Sequence, residues 1–223
     1  MRRTAVYGKP LRTPMPRLLK SGLIALTVLL AGILAARAGL SAYLQARAAL
    51  RQSAHTQTLA AHPLSYREPI ERYAADQNLQ PAFIAAVIMA ESSYRKDARS
   101  GADARGLMQI KPDTGRWIAE KLGENDSFTP ERLYDPETNI RYGAWYLGYL
   151  SRLFLGDPVW VTAAYHAGQT TVMNWIAAGM SGYEAIPDGP TKNYVRRVTT
   201  AYGIYERLYF APPTEIGAVA SQP

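Results

Sequence analysis

Residues 81–94 read PAFIAAVIMAESSY. Pro81 suits the first turn of a helix, where its lack of an N–H costs nothing, and Ile84, Val87 and Ile88 then recur at the spacing of a single helical face. The next position on that face is Glu91, an acid where the pattern asks for an apolar side chain. Two readings fit. At the helix end the carboxyl can turn out into water; or it stays on the inward face, where desolvation and the partial negative charge of a helix C-terminus both raise its pKa. A glutamic acid kept protonated near neutral pH is what general-acid cleavage of a glycosidic bond requires. Periodicity alone leaves both readings open.

Outward from this helix the punctuation stays helical. Pro69 sits, like Pro81, where a first helical residue belongs, and Asp135-Pro136 and Asp157-Pro158 each join an N-cap acceptor to a first-turn proline. Gly123, Gly156, Gly168 and Gly179 follow apolar segments, where a left-handed closing residue is wanted. The pattern predicts helices over about 68–77, 81–92, 113–122, 136–155, 158–167, 170–178 and 191–209, with no alternating strand pattern and no internal repeat. The expected fold class is all-α, in one domain over 62–210 followed by a flexible tail, 211–223.

The 223 residues carry a formal net charge of +7, but the charge is unevenly spread. Arg2, Arg3, Lys9, Arg12, Arg17, Lys20 and Arg37 stand in the first 37 residues with no acid among them, which leaves 18 basic and 18 acidic residues in the remainder. A neutral remainder argues against a nucleic-acid partner. The basic leader (1–20) precedes sixteen uncharged, mostly apolar residues, Ser21 to Ala36. That run is short for a spanning helix, which needs about 20 residues, and a little long for a signal-peptide core. Ala36-Arg37-Ala38 fits a cleavage pattern, while the helix-prone continuation favours an uncleaved anchor over 21–38. Either way the basic end stays in the cytoplasm and the chain from about residue 40 is exported, through a helical or flexible stalk over 39–61. There is no cysteine, and the three histidines, at 55, 62 and 166, form no metal-ligand pattern, so neither a metal nor a cofactor is expected.

Two further segments carry polar chemistry. Ala98 to Thr114, ARSGADARGLMQIKPDT, is a glycine-punctuated loop in which Ser100 and Gln109 offer the neutral hydrogen bonds that sugars recruit. Ala163 to Gly168, AAYHAG, puts the Tyr165 phenol and the His166 imidazole at a helix end before a glycine turn, as a second wall for a cleft. Each has an ordinary alternative: a tyrosine at a helix end is commonly core, and a lone histidine commonly just packs.

Taken in order, Ala90-Glu91-Ser92-Ser93-Tyr94, Gly106-Leu107-Met108-Gln109-Ile110 with Pro112 and Thr114, Leu133 to Ile140 (LYDPETNI), Ala164-Tyr165-x-Ala167-Gly168 and Thr191-x-x-Tyr194-Val195 resemble the catalytic domain of the soluble lytic transglycosylases, glycoside hydrolase family 23. Goose-type lysozyme is a more distant relative. The resemblance covers about residues 64–209. It implies a lysozyme-like α-fold in which Glu91 is the sole catalytic carboxyl. In that family the glutamate protonates the oxygen between N-acetylmuramic acid and N-acetylglucosamine, then takes the proton of the muramic C6 hydroxyl as that oxygen closes on C1, giving a 1,6-anhydro end without water. The substrate acetamido group stands in for the second carboxylate of ordinary glycosidases. Carried over by position, Ser100 and Gln109 contact the sugar acetamido and hydroxyl groups. Met108 and Tyr165 line the cleft, with the Tyr165 hydroxyl close to Glu91. The implied partner is the peptidoglycan strand at the periplasmic face of the inner membrane.

The sequence departs from the family pattern in two places. His166 replaces the usual Asn of Tyr-Asn-Ala-Gly, and Pro190 replaces the Glu that usually precedes Thr191, with Asp188 the nearest acid able to substitute. Two rivals follow. A muramidase that admits water would, if inverting, need a second carboxylate to activate it, and Asp97 and Asp103 lie in the right loop. A non-catalytic peptidoglycan-binding or scaffold module of a cell-envelope machine would explain the loss at position 190.

Overall fold

The computed structural model describes residues 17–211, with side chains from Ser21 onward. Helix α1 (Arg17–Ala61) is followed by α2 (Arg67–Gln77), α3 (Pro81–Ser92), α4 (Pro112–Lys121), α5 (Pro136–Leu153), α6 (Pro158–Ala167), α7 (Gln169–Ala177), α8 (Gly182–Ala185) and α9 (Pro190–Tyr205). Short 3-10 turns cover Asn125–Ser127 and Pro130–Tyr134, and a π-helical turn, Glu206–Phe210, ends α9. The described residues contain no strand, only two isolated bridges that tie Arg105 to Arg99 and to Ile110. The fold is all-α.

The chain divides into two units, 1–57 and 58–223. In the first, α1 is one uninterrupted helix of 45 residues, so the segment over 39–61 is helical. Its apolar side chains from Leu23 to Leu34 are exposed. Of the leader 1–20 only Arg17 to Lys20 belong to the described residues, as the first turn of α1, and of the tail 211–223 only Ala211 does.

In the second unit the helix starts follow the proline punctuation. Pro81, Pro112, Pro136, Pro158 and Pro190 each open a helix. The Asp135 carboxylate accepts the Thr138 N–H at 2.8 Å, and that of Asp157 accepts the Val159 N–H at 2.8 Å, as N-caps do. The sequence expected one long last helix to residue 209; the α-helix stops at Tyr205 and gives way to the π turn. The two 3-10 turns and α8 were not foreseen, because single turns carry too few residues to show a period.

Helix α3 forms the centre of the core. Ile84, Ala85, Ala86, Val87 and Ile88 are all fully buried, so the expected single inward stripe is in fact a helix enclosed on every side. It packs along α9, while α2 crosses α5 and α6 contacts α5, α7 and α9. Each large apolar side chain buried here contributes about 2 kcal/mol. The helix ends because Ser93 and Tyr94 are both left-handed, with φ of 51° and 62°. Tyr94 then packs its ring 6.2 Å from that of Tyr205.

The loop over 98–110 is held to this core by one buried side chain. Asn139, 1% exposed near the start of α5, donates from Nδ2 to the carbonyls of Arg105 (3.0 Å) and Leu133 (2.7 Å), and accepts the Met108 N–H at 2.7 Å. Gly106 makes the close approach possible: at φ 74° a Cβ there would lie 2.1 Å from the Leu133 carbonyl oxygen. Asn139→Ala would strand three buried polar groups, and we expect it to lower stability by roughly 3 kcal/mol, read as a lower urea-unfolding midpoint of the full chain in mild detergent.

Candidate active site

Glu91 lies in the last turn of α3, and its carboxyl opens into a cleft of about 450 Å³. The cleft is walled by the loop over 98–114 (Ser100, Ala104, Gln109, Lys111, Thr114), by Tyr146 of α5, and by the end of α6 through Tyr165, His166 and Gly168. Gly168, with φ 85° and ψ 145°, is the only residue between α6 and α7, in a backbone conformation that favours glycine.

Burial raises the Glu91 pKa from its ordinary 4.5 to about 7, against the opposing pull of a hydrogen bond from Tyr194 and of the Arg197 charge. The Tyr194 hydroxyl donates to Glu91 Oε1 at 2.7 Å, and the Arg197 guanidinium lies 5.6 Å from the centre of the Tyr194 ring. Tyr194 is itself buried, and its own pKa is driven far up, by burial first and by Glu91 next, so it remains a neutral donor. The carboxyl is thus poised between its two charge states near neutral pH.

The remaining residues singled out from the sequence fall in different places. Ser100 and Gln109 both line the cleft. Gln109 spends its amide nitrogen within the loop, donating to the carbonyls of Ala98 (3.1 Å) and Gly106 (2.9 Å), which leaves its carbonyl oxygen to the cleft. Ser100 Oγ accepts the Ala104 N–H at 3.0 Å and keeps its proton for a ligand. Met108 differs from expectation: its side chain is fully buried and presses on Gly143, because the tight turn at Gly106 points it inward. Met108 meets the cleft only through Tyr165, whose hydroxyl donates to the Met108 carbonyl at 2.8 Å. Tyr165 is close enough for Glu91 to raise its pKa, second to burial, but the direct hydrogen bond to the carboxyl comes from Tyr194.

The two departures in sequence meet in space. His166 stands at the exposed rim with Nδ1 3.0 Å from Thr191 Oγ1 and its ring centre 4.7 Å from that of Tyr194. Burial, then the Arg197 charge, lowers its pKa, which favours the neutral imidazole. Asp188 does not replace the acid absent at position 190: its side chain is 95% exposed and pairs with Lys192 at 3.1 Å. Asp103 does not face the cleft either, since Arg99 (2.6 Å) and Arg105 (3.1 Å) engage its carboxylate. Glu91 is the one carboxylate among the described residues that line the cleft.

Sequence reasoning quoted Tyr194 within a motif but gave it no role at the site. Its spacing with Val195 and Val198 marks it as core, which it also is; only the packing of α9 on α3 brings its hydroxyl to Glu91.

Comparison with known proteins agrees with this architecture. The soluble lytic murein transglycosylase of Escherichia coli is 32% identical over 70% of this chain and 25% of its own length. Membrane-bound lytic murein transglycosylase C of Cronobacter sakazakii is 29% identical over 63% of this chain and 45% of its own. The crystal structure of an inactive glutamate-to-glutamine mutant of lytic transglycosylase Slt from Pseudomonas aeruginosa superposes with a TM-score of 0.63 at 34% identity, covering 68% of this chain and 25% of that one. The chain therefore spans about a quarter of the length of the soluble relatives it matches. The family model for the transglycosylase SLT domain matches residues 68–184, which include Glu91, the loop over 98–110 and the end of α6, and the chain belongs to that family.

Proposed function

We propose that this chain is a peptidoglycan lytic transglycosylase, cleaving the β-1,4 bond between N-acetylmuramic acid and N-acetylglucosamine and leaving 1,6-anhydro ends. The observation that carries the reading is a single, largely enclosed carboxyl whose pKa is raised to about 7, with no second carboxylate among the described residues that line its cleft. Glu91 donates its proton to the glycosidic oxygen as the bond from that oxygen to C1 breaks. The resulting carboxylate is held by the Tyr194 hydroxyl and accepts the proton of the muramic C6 hydroxyl while that oxygen bonds to C1. Acid and base are then one group, returned to its starting state, and no water is consumed. Ser100 and the Gln109 carbonyl oxygen supply the neutral contacts that orient the acetamido and hydroxyl groups. An inverting muramidase would need a carboxylate across the cleft to activate water, and the candidates Asp97 and Asp103 are not among the lining residues.

The N-terminal segment supports a place at the membrane. Helix α1 has 45 residues, about 67 Å of helix, and contains a window of mean hydropathy 2.2 with its apolar side chains exposed. With the basic leader in the cytoplasm, the catalytic unit stands on the periplasmic side, where its substrate is.

Full-length protein in mild detergent, incubated with purified sacculi, should release muropeptides with anhydro ends by mass spectrometry. Glu91→Gln should reduce that release by about a thousandfold or more. Reducing ends would overturn the transglycosylase reading in favour of hydrolysis, and no release by the wild type would overturn both. The pH profile tests how the acid is set: kcat/KM should fall as pH rises through about 7. In Tyr194→Phe, which removes a pKa-lowering hydrogen bond, the alkaline limb should move to higher pH. Stability carries the same signature. Because the folded pKa lies above the ordinary one, the folded state binds the extra proton, and stability falls as pH climbs from about 4.5 through about 7. Glu91→Gln should therefore be more stable than wild type at pH 8, by up to roughly 3 kcal/mol in urea unfolding, with the gain disappearing at low pH.

A further inference from the structure

A recess of about 510 Å³ opens between the end of α3, at Met89, Ala90 and Ser93, and the α9 residues Arg196, Arg197 and Thr200. It shares no lining residue with the Glu91 cleft. The helical period explains why: Met89, Ala90 and Ser93 lie on one side of α3, turned well away from Glu91. Arg196 and Arg197 are both exposed, and neither forms a salt bridge among the described residues, although Arg67, Arg72, Arg99, Arg105 and Arg141 all do. Neutral groups steady the pair instead. Arg196 Nη2 donates to the Asn193 side-chain oxygen at 2.9 Å, and the Arg197 guanidinium lies 5.6 Å from the centre of the Tyr194 ring. The recess therefore carries two adjacent positive charges with no carboxylate bound to them.

We propose that this recess is an exosite for a carboxylate-bearing peptide of the kind that hangs from the glycan strands of peptidoglycan, holding the catalytic unit to the wall without entering the cleft. The source of the peptide rests on the function proposed above; the chemistry of the recess does not. Two neighbouring guanidinium forks pair with carboxylates. The Ser93 and Thr200 hydroxyls serve amide groups, and Met89, Ala90 and Ala201 give an apolar floor for methyl side chains. The end of α3 adds carbonyls and partial negative charge, which disfavour a bare phosphate and accept an amide N–H or an amine. A stem peptide brings all of these together: alanine methyls, amide N–H groups, and more carboxylates than amines. Such a contact acts through local concentration, because a unit held to the wall meets its bond more often while the chemistry at Glu91 is untouched.

The test titrates full-length Glu91→Gln in mild detergent, by calorimetry, with N-acetylated L-alanyl-γ-D-glutamyl-meso-diaminopimelyl-D-alanine bearing no sugar. We expect saturable binding that weakens as salt is raised and is unchanged by saturating β-1,4-linked N-acetylglucosamine oligomers. Adding Arg196→Gln should weaken it about tenfold, and Arg196→Lys should keep most of it. Thr200→Trp, which fills the recess and leaves both arginines, should abolish it. With Glu91 intact, Arg196→Gln should raise KM for sacculi at unchanged kcat and leave cleavage of glycan strands stripped of their peptides as in wild type. No binding of the peptide, equal binding of inorganic phosphate, displacement of the peptide by the oligomers, or an equal loss on stripped strands would each overturn the proposal. The peptide titration involves neither glycan nor turnover, so failure of the wild type to release anhydro ends would sink the transglycosylase reading while leaving this result legible.

Discussion

Helix α3 has no free side between Ile84 and Ile88, and the rest of the catalytic unit is arranged around that fact. A helix enclosed by its neighbours must end somewhere, and its last turn carries the only group that cannot be buried without consequence. Two successive left-handed residues, Ser93 and Tyr94, stop the helix one residue after that turn closes. The Glu91 carboxyl is therefore held between apolar packing on one side and an open cleft on the other. Its raised pKa follows from the same burial that stabilises the fold, so the site and the core share one cause.

Three contacts from distant parts of the chain convert that end of a helix into a site. Asn139 pins the loop carrying Ser100 and Gln109 through its hydrogen bonds at Arg105, Leu133 and Met108. Tyr165 ties the end of α6 to the Met108 carbonyl, and Tyr194 reaches across from α9 to the carboxyl itself. The hydroxyl of Tyr194 limits how far the pKa rises, which matters for a group that must both give and regain a proton. The pairing of His166 with Thr191 joins the end of α6 to the start of α9. The bulkier imidazole is accommodated by a hydrogen bond to one segment and by ring contact with Tyr194, not by a substitute acid.

The helices were legible because their signals are local. Proline at the first turn, aspartate N-caps and a closing residue act over one or two turns, and they fixed the starts of α3, α5 and α6. What escaped was either too short to carry a period, as with α8 and the 3-10 turns, or a change of hydrogen-bond pattern within a continuous helical segment, as at Tyr205.

The sequence by itself determined the all-α class, the helix whose last turn carries Glu91 and, through five ordered motifs, the family. These are properties of residue type and spacing along the chain. Only the tertiary structure decided which way the side chains face and what they meet. Met108 turned into the core because Gly106 permits a close turn against Leu133, and Asp103 and Asp188 were drawn to arginine and lysine partners outside the cleft. Tyr194 became the partner of Glu91 although 103 residues separate them. Hydrogen bonds and burial across such separations are set by helix packing, which periodicity does not encode, and so neither the state of the carboxyl nor its partner followed from periodicity alone.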